Sequence, residues 1–351
     1  MRFVLEQHLG HQTYAENLRS AAERRRDVDA TWVPVTYDAS AWPVPSQVRD
    51  RLGGLAGRAE VRRGLDGPPA DVDVYNTQVP AALAGRRLRR PYVLVTDVTP
   101  MQYDRVAAGY GHQVDRNGPV AAWKRSVNRR IMRDAAFCVG WSSWVTTSFV
   151  DDYGVPPDRT AVIAPGVDLE RWSPGPERAD DSVRLLFVGG DLRRKGGDVL
   201  LDVVESLPDG VELTLVTKAA VTPTERVRVV NDLQPNDDRL IELFRSSDVF
   251  VLPTTAETFG IAAVEASAAG LPVVATRIGG LTDIVHDGVS GRLLEPGDAA
   301  GLAHVLGELV ADADARRRYG AAARRRAERL FDAETNANAL VDLARSAADP
   351  G

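Results

Sequence analysis

The chain has 351 residues, 44% hydrophobic and 26% charged, an ordinary globular composition too long for one core, so two domains are expected. A single cysteine, Cys138, excludes a disulfide framework and a cysteine-rich zinc site, and no run approaches the roughly 18 uncharged apolar residues of a spanning helix. The net charge of −6 is uneven, with 22 basic against 18 acidic side chains over residues 1–166 and 21 against 31 over 167–351, which argues against nucleic acid as a bulk partner.

Strands and helices alternate from the start. Residues 1–6 carry charge inside an apolar run and read as a first strand rather than a signal peptide; with the lone cysteine this points to a cytoplasmic compartment. Short apolar strands are expected at 3–5, 30–35, 72–75, 92–96 and 137–140, with amphipathic or Ala/Arg-rich helices at 15–26 and 120–135. A second series of strands is expected at 183–188, 211–216, 249–252 and 273–276, followed by solvated helices at 315–329 and 334–348. Such alternation predicts parallel sheets with right-handed crossovers. Pro165-Gly166 and the later Pro174-Gly175-Pro176 mark a linker. The expected organisation is α/β: a domain over 1–166, a second over 167–331, and a C-terminal helix in 332–351 that crosses back to the first.

Several chemical signals reduce to structure. Cys138, in Ala-Ala-Phe-Cys-Val-Gly, reads as a buried strand thiol. The pairs Asp27/Asp29 and Asp71/Asp73 mimic a metal-binding Asp-x-Asp, but they stand at strand starts. His8 and His11 lack a third ligand at metal spacing. In the 120–135 helix, Val120, Trp123, Val127 and Ile131 form one apolar stripe, with Lys124, Arg125, Arg129, Arg130 and Arg133 around it. The stripe is expected to pack on the sheet with a solvated basic face; contact with a membrane surface is the alternative.

Two features carry the chemistry. The first is a strand running into Gly189-Gly190-Asp-Leu-Arg193-Arg194-Lys195-Gly196-Gly197. Glycines let a ligand approach the backbone, Arg offers bidentate contact to phosphate and Lys a compact charge. This is neither a Walker loop nor the dinucleotide Gly-x-Gly-x-x-Gly. The second is Thr-Ala-Glu257-Thr-Phe259-Gly260-Ile261-Ala-Ala-Val-Glu265, after the strand that ends at Pro253. Glu257 is expected on the loop leaving that strand and Glu265 about two turns into a helix over 259–269. The Phe259, Gly260 and Ile261 amides are expected to point at an anion. That suits a polyhydroxylated ligand carrying phosphate.

Glu257-x7-Glu265, the turn ending Arg194-Lys195-Gly196, and the stretch from Gly279-Gly280 through Gly288 to Asp298 together resemble retaining glycosyltransferases of family 4, with the GT-B fold. Tyr153-Gly-Val-Pro156 to Pro165-Gly-Val-Asp168 resembles their interdomain junction. The resemblance implies two Rossmann-like domains and a nucleotide-diphospho-sugar held mainly by the C-terminal one. It implies that Glu265 takes the ribose hydroxyls. Glu257 and the 259–261 amides would hold sugar and phosphate, with Gly189 and Gly190 lining the donor. Arg194 and Lys195 would neutralise the diphosphate leaving group in place of a metal ion. Three positions depart from the pattern. Gly190 stands where many relatives have Arg, so Arg194 takes its task. Thr96-Asp97 stands where many have His-Asp, and Leu9-Gly10-His11-Gln12-Thr13-Tyr14 where many have a Gly-Gly loop. Gly10, His11 and Thr96 are therefore the acceptor-side candidates, and Asp97 the group expected at the reacting sugar. The expected reaction is metal-independent sugar transfer, with no cofactor, to a small-molecule, glycan or lipid-linked acceptor. A phosphorylase or epimerase on the same fold, or a catalytically silent sugar-nucleotide-binding subunit, are the alternatives.

Overall fold

The computed structural model describes residues 1–7, 10–40, 46–89, 91–111, 114, 118–176 and 182–349; His8 and Leu9, considered above, lie outside them. The described residues form two parallel six-stranded sheets. The first contains β1 (Arg2–Glu6), β2 (Thr31–Val35), β3 (Asp73–Asn76), β4 (Tyr92–Thr96), β5 (Phe137–Gly140) and β6 (Thr160–Val162), in the order β2-β1-β3-β4-β5-β6. The second contains β7 (Val183–Val188), β8 (Val211–Val216), β9 (Val227–Val230), β10 (Val249–Leu252), β11 (Val273–Thr276) and β12 (Gly291–Leu294), in the order β12-β11-β10-β7-β8-β9.

The central strands are the unbroken apolar runs: every residue of β3, β4, β10 and β11 is buried, as helices covering both faces of a parallel sheet require. Both sheets share one topological property. The chain lays down its first strands outward on one side, then returns to the other side of its starting strand. The reversal falls between β1 and β3 in the first sheet, and between β7 and β10 in the second. Neighbouring loops diverge at the carboxyl ends of such strand pairs and leave a crevice where ligands bind.

The chain divides into two compact units: Met1–Arg105, Gln113–Ala164 and Glu334–Gly351 in the first, Val106–His112 and Pro165–Ala333 in the second. In the second unit the entering and leaving segments lie side by side. Val167 N–H donates to the Phe331 carbonyl at 2.9 Å, and Ala333 N–H to the Val167 carbonyl at 3.1 Å. Gly166 belongs to this crossing, because a Cβ there would overlap the Ala333 backbone. In the first unit, the Ala333–Ala348 helix buries Leu340, Val341, Ala344 and Ala347.

Two local expectations need correction. The first helix begins at Gly10, not near residue 15, so His11 sits in a first turn rather than on a loop. The apolar stripe of the Pro119–Asp134 helix does not pack along its length. Ile131 is buried and Val127 half-buried, but Val120 and Trp123 are 66% and 65% exposed. The helix is seated only at its C-terminal half, where Tyr92 donates to the Ile131 carbonyl at 2.6 Å. Of the aspartates at strand starts, Asp73 opens β3 beside Arg2, and Asp27 pairs with Arg25 and Arg345. Cys138 is fully buried, its thiol pushed up to about 12 by that burial, which removes it as a nucleophile.

Candidate active site

At the reversal point of the second sheet, β7 runs into the Gly189–Gly197 turn and β10 into the 253–260 loop. Gly189 N–H donates to the Val216 carbonyl at 2.9 Å, prolonging β7. The turn then folds back: Lys195 N–H donates to the Asp191 carbonyl at 3.1 Å, and Gly197 N–H to the Leu192 carbonyl at 2.8 Å. Gly196, at φ 76°, starts the Gly197–Ser206 helix from a left-handed conformation. A Cβ there would also be driven into the Pro253 carbonyl, so only glycine lets the two loops touch.

That contact is stitched by threonines. The Arg194 carbonyl accepts from Thr255 N–H at 2.9 Å, Thr254 Oγ1 at 3.0 Å and Thr255 Oγ1 at 3.1 Å, and Thr276 Oγ1 donates to the Thr254 carbonyl at 2.7 Å. The side chain of Arg194 works in the same direction. Its Nη1 donates to the Ala256 carbonyl at 2.8 Å, its Nε faces Asp191 at 3.4 Å, and its guanidinium lies 4.5 Å from the centre of the Tyr110 ring. The segment carrying Tyr110 precedes the second sheet by some way in the chain, yet it belongs to this unit.

The result is a direct ion pair between Lys195 Nζ and Glu257 Oε2, residues 62 positions apart. Both are largely shielded, with Lys195 17% and Glu257 7% exposed at the side chain. The other Glu257 oxygen accepts from Thr258 N–H at 3.2 Å. Three residues later the backbone turns into the Ile261–Ala268 helix through Gly260, at φ 106°. Among the described residues, the amides of Gly260, Ile261 and Ala262 have no hydrogen-bond partner, the condition of a helix start open to an anion. Phe259, whose amide the sequence placed with them, buries its ring against Phe331 at 6.4 Å. Glu265 lies one turn into the helix. It is 6% exposed and its carboxyl is pushed up to about 7 by burial alone. No hydrogen bond from the described residues reaches it, so it is a buried acceptor facing no protein donor.

The first unit gathers a second cluster at its own reversal point. His11 Nε2 lies 3.5 Å from Asp97 Oδ1, just past the end of β4, and His11 Nδ1 lies 3.1 Å from Asn76 Nδ2, at the end of β3. The imidazole sits against Trp141, ring centres 4.9 Å apart. Burial alone would depress His11, but the Asp97 carboxylate, with Glu6 and Asn76 adding, outweighs it and holds the imidazole above its ordinary range. Thr96 turns its hydroxyl to the Val98 carbonyl at 2.9 Å, shaping the loop on which Asp97 stands. Thr77, at φ 68°, donates to Glu6 Oε2 at 2.7 Å. A β-branched residue in that conformation is strained, and such strain collects at ligand sites. Gly10 opens the helix that carries His11. Among the described residues, no three His, Cys, Asp or Glu side chains gather as a metal site.

Comparison with known proteins fits both units. Residues 10–171 match the family described as Glycosyltransferase Family 4, and residues 182–312 match Glycosyl transferases group 1. The chain belongs to glycosyltransferase family 4. Among its relatives are the D-inositol 3-phosphate glycosyltransferases of Xylanimonas cellulosilytica, 36% identical over 54% of this chain and 52% of that relative, and of Corynebacterium urealyticum, 31% identical over 71% and 65%. The chain thus spans about half to two thirds of the length of these relatives. Among solved structures, sucrose-phosphate synthase from Thermosynechococcus elongatus superposes with a TM-score of 0.79 at 20% identity, covering 98% of this chain and 95% of that one. Anabaena Alr3699/HepE, solved in complex with UDP and glucose, superposes with 0.72 at 18%, covering 99% and 100%. The fold is GT-B.

In this member of glycosyltransferase family 4, the structure brings Lys195, Glu257, Gly260, Ile261 and Glu265 into one region. It gives Arg194 a holding task on the loop of Glu257, while Gly190 stays exposed at the turn. It joins His11 to Asp97. Asn76, Glu6 and Thr77 were not singled out from the sequence, although a polar residue directly after an apolar strand was the signal available. Nothing local marks Tyr110 or Trp141.

Proposed function

We propose that this glycosyltransferase moves a sugar from a nucleoside-diphosphate sugar to an acceptor hydroxyl, with retained anomeric configuration and no metal ion, in the cytoplasm. The observation that carries the proposal is the joining of the Lys195–Glu257 pair, the unpartnered 260–262 amides and the partnerless Glu265 carboxylate on two loops of one sheet. A nucleoside diphosphate offers a matching set. Its ribose hydroxyls donate to Glu265, its phosphate oxygens accept from the helix amides, and its charge draws Lys195. As the bond from sugar to phosphate breaks, negative charge grows on the leaving oxygen, and a fixed cation there stabilises the transition state more than the ground state. Glu257, held by Lys195 and the Thr258 amide, orients sugar hydroxyls rather than attacking. Retention rests on the family alone.

The His11–Asp97 pair is the acceptor-side counterpart in this reading, and the names of the relatives make a cyclitol phosphate the first acceptor to try. The test is a thermal-shift panel of nucleoside diphosphates and their sugars, followed by product analysis with the donor that stabilises most. A donor-specific rise and sugar transfer in the presence of a chelator are expected. Activity that disappears with chelation and returns with magnesium or manganese would contradict the assignment of Lys195 to the leaving group, and transfer that requires inorganic phosphate would make the protein a phosphorylase.

A further inference from the structure

The Arg194 guanidinium is committed to protein partners through Nη1, Nε and one face. Nη1 donates to the Ala256 carbonyl at 2.8 Å, Nε faces Asp191 Oδ2 at 3.4 Å, and the group lies 4.5 Å from the centre of the Tyr110 ring. Tyr110 closes a short 3₁₀ turn, Ala107–Tyr110, which is far from Arg194 in the chain yet belongs to the same compact unit. That turn also meets the 253–260 loop directly. Gly109 stands against Ala256, where any Cβ would overlap the alanine methyl, and Ala256 is buried. Ala256 is therefore bounded at its methyl by the Gly109 backbone and held at its carbonyl by Arg194, with Thr254 Oγ1 a second donor to that carbonyl at 3.0 Å. The peptide unit that carries the Ala256 carbonyl also carries the Glu257 nitrogen, and it is planar. Fixing that carbonyl fixes the direction in which Glu257 leaves the loop.

We propose that Tyr110 is a positioning residue for sugar transfer: its ring seats Arg194, Arg194 holds the Ala256–Glu257 peptide, and Glu257 is thereby aimed beside Lys195. Arg194 then makes no contact with the diphosphate, and Lys195 is the cation there. A cation resting on an aromatic face is favourable. A planar guanidinium uses its face and its edge at once, which the point charge of a lysine cannot do. A carboxylate that orients a reacting sugar is sensitive to small shifts, since a displacement of about 1 Å can lower a rate by about a hundredfold. The proposal rests on the role given to Glu257 above.

The test is a double-mutant cycle on Tyr110→Ala and Arg194→Gln in the full chain. The ligand is whichever of UDP, GDP, ADP, CDP and dTDP raises the parent's thermal midpoint most. The donor is the glucose, mannose or N-acetylglucosamine ester of that diphosphate that the parent hydrolyses fastest without acceptor. Each single variant should lower this turnover by about tenfold or more at saturating donor, and the double variant no further than the worse single one. Calorimetry should find diphosphate affinity within about twofold of the parent in all three. Tyr110→Phe keeps the ring face and should keep the parent turnover, whereas Arg194→Lys should not. Tyr110→Leu, which fills the space without the aromatic face, should lose turnover as the alanine variant does and serves if that variant fails to fold. A loss of diphosphate affinity of about tenfold in Arg194→Gln would make Arg194 a phosphate ligand and overturn the proposal. Parent turnover in Tyr110→Ala and Tyr110→Leu, or losses that multiply in the double variant, would overturn it too. A parent that binds none of these diphosphates would sink the functional reading and this proposal with it, whereas a parent that binds and hydrolyses while the variants depart from expectation sinks this proposal alone.

Discussion

At the scale of single residues, the two glutamates differ in what surrounds them, and that difference separates their effects. Glu265 has burial and no donor, so it holds its proton to about 7 against an ordinary value of 4.5. A carboxyl whose folded value is raised stabilises the fold below the unfolded value and loses that contribution as pH rises through the folded one. Stability measured by denaturant should therefore fall between about pH 4.5 and 7 by up to about 3 kcal/mol from this group, and Glu265→Gln should flatten that slope; an unchanged slope would place the titration elsewhere. In the proposed reading ribose hydroxyls would supply the missing donors, so Glu265→Ala should weaken nucleoside diphosphate and full donor alike, by about tenfold or more. Glu257 already has Lys195 and an amide. Glu257→Gln should lower turnover with little change in diphosphate affinity, and Lys195→Ala should lower turnover by orders of magnitude at saturating donor. If calorimetry finds diphosphate binding lost in Glu257→Gln and kept in Glu265→Ala, the two roles are reversed. Both glutamates and Lys195 were legible in the sequence because a strand followed by a glycine- or helix-bearing loop fixes where its polar residues emerge. The ion pair between them was not, since it depends on the approach of two loops 62 residues apart.

At the scale of elements, those loops meet because glycines remove side chains where backbones touch. Gly279, at φ 54°, stands where a Cβ would be driven into the Glu257 carbonyl, whereas Gly288, at φ 72°, has open space around it. Gly288→Ala should therefore cost only the left-handed conformation, about 1 kcal/mol. Gly279→Ala adds a backbone collision; it should lower the thermal midpoint by several degrees more and displace Glu257, with turnover falling by about tenfold or more. Equal effects in the two variants would remove the collision from the account. The same scale explains which strands the sequence revealed. Those read in advance are mostly central and apolar throughout, whereas β6, β9 and β12, which were not, are edge strands. Each edge strand is short and partly exposed, and Arg228 and Arg292 interrupt the apolar pattern of two of them. The helix stripe failed for a related reason. Val120 and Trp123 have the spacing of a packed face, but a helix that is longer than the surface beneath it leaves its first turns without a partner.

At the scale of the whole molecule, the chain does not finish in the unit it has just built. The Ala333–Ala348 helix completes the first unit instead: Asn336 Nδ2 donates to the Ala164 carbonyl at 3.0 Å, Asp342 accepts from Arg25 at 2.7 Å, and Arg345 pairs with Asp27. The exposed ion pairs contribute little. The burial of Leu340, Val341, Ala344 and Ala347 contributes more, since each large apolar side chain removed from water is worth about 1.5–3 kcal/mol. Replacing Leu340 and Val341 together by alanine should thus destabilise the first unit by about 3–6 kcal/mol. The second unit, whose entering and leaving segments are already paired at Val167 and Ala333, keeps its sheet and its loops. Hydrogen exchange should show protection lost in β1 to β5 and retained in β7, β10 and β11, with nucleoside diphosphate still bound while sugar transfer fails. Loss of protection in both units at once would mean that they unfold as one cooperative body, and that the C-terminal helix stabilises the second unit as much as the unit it is built into.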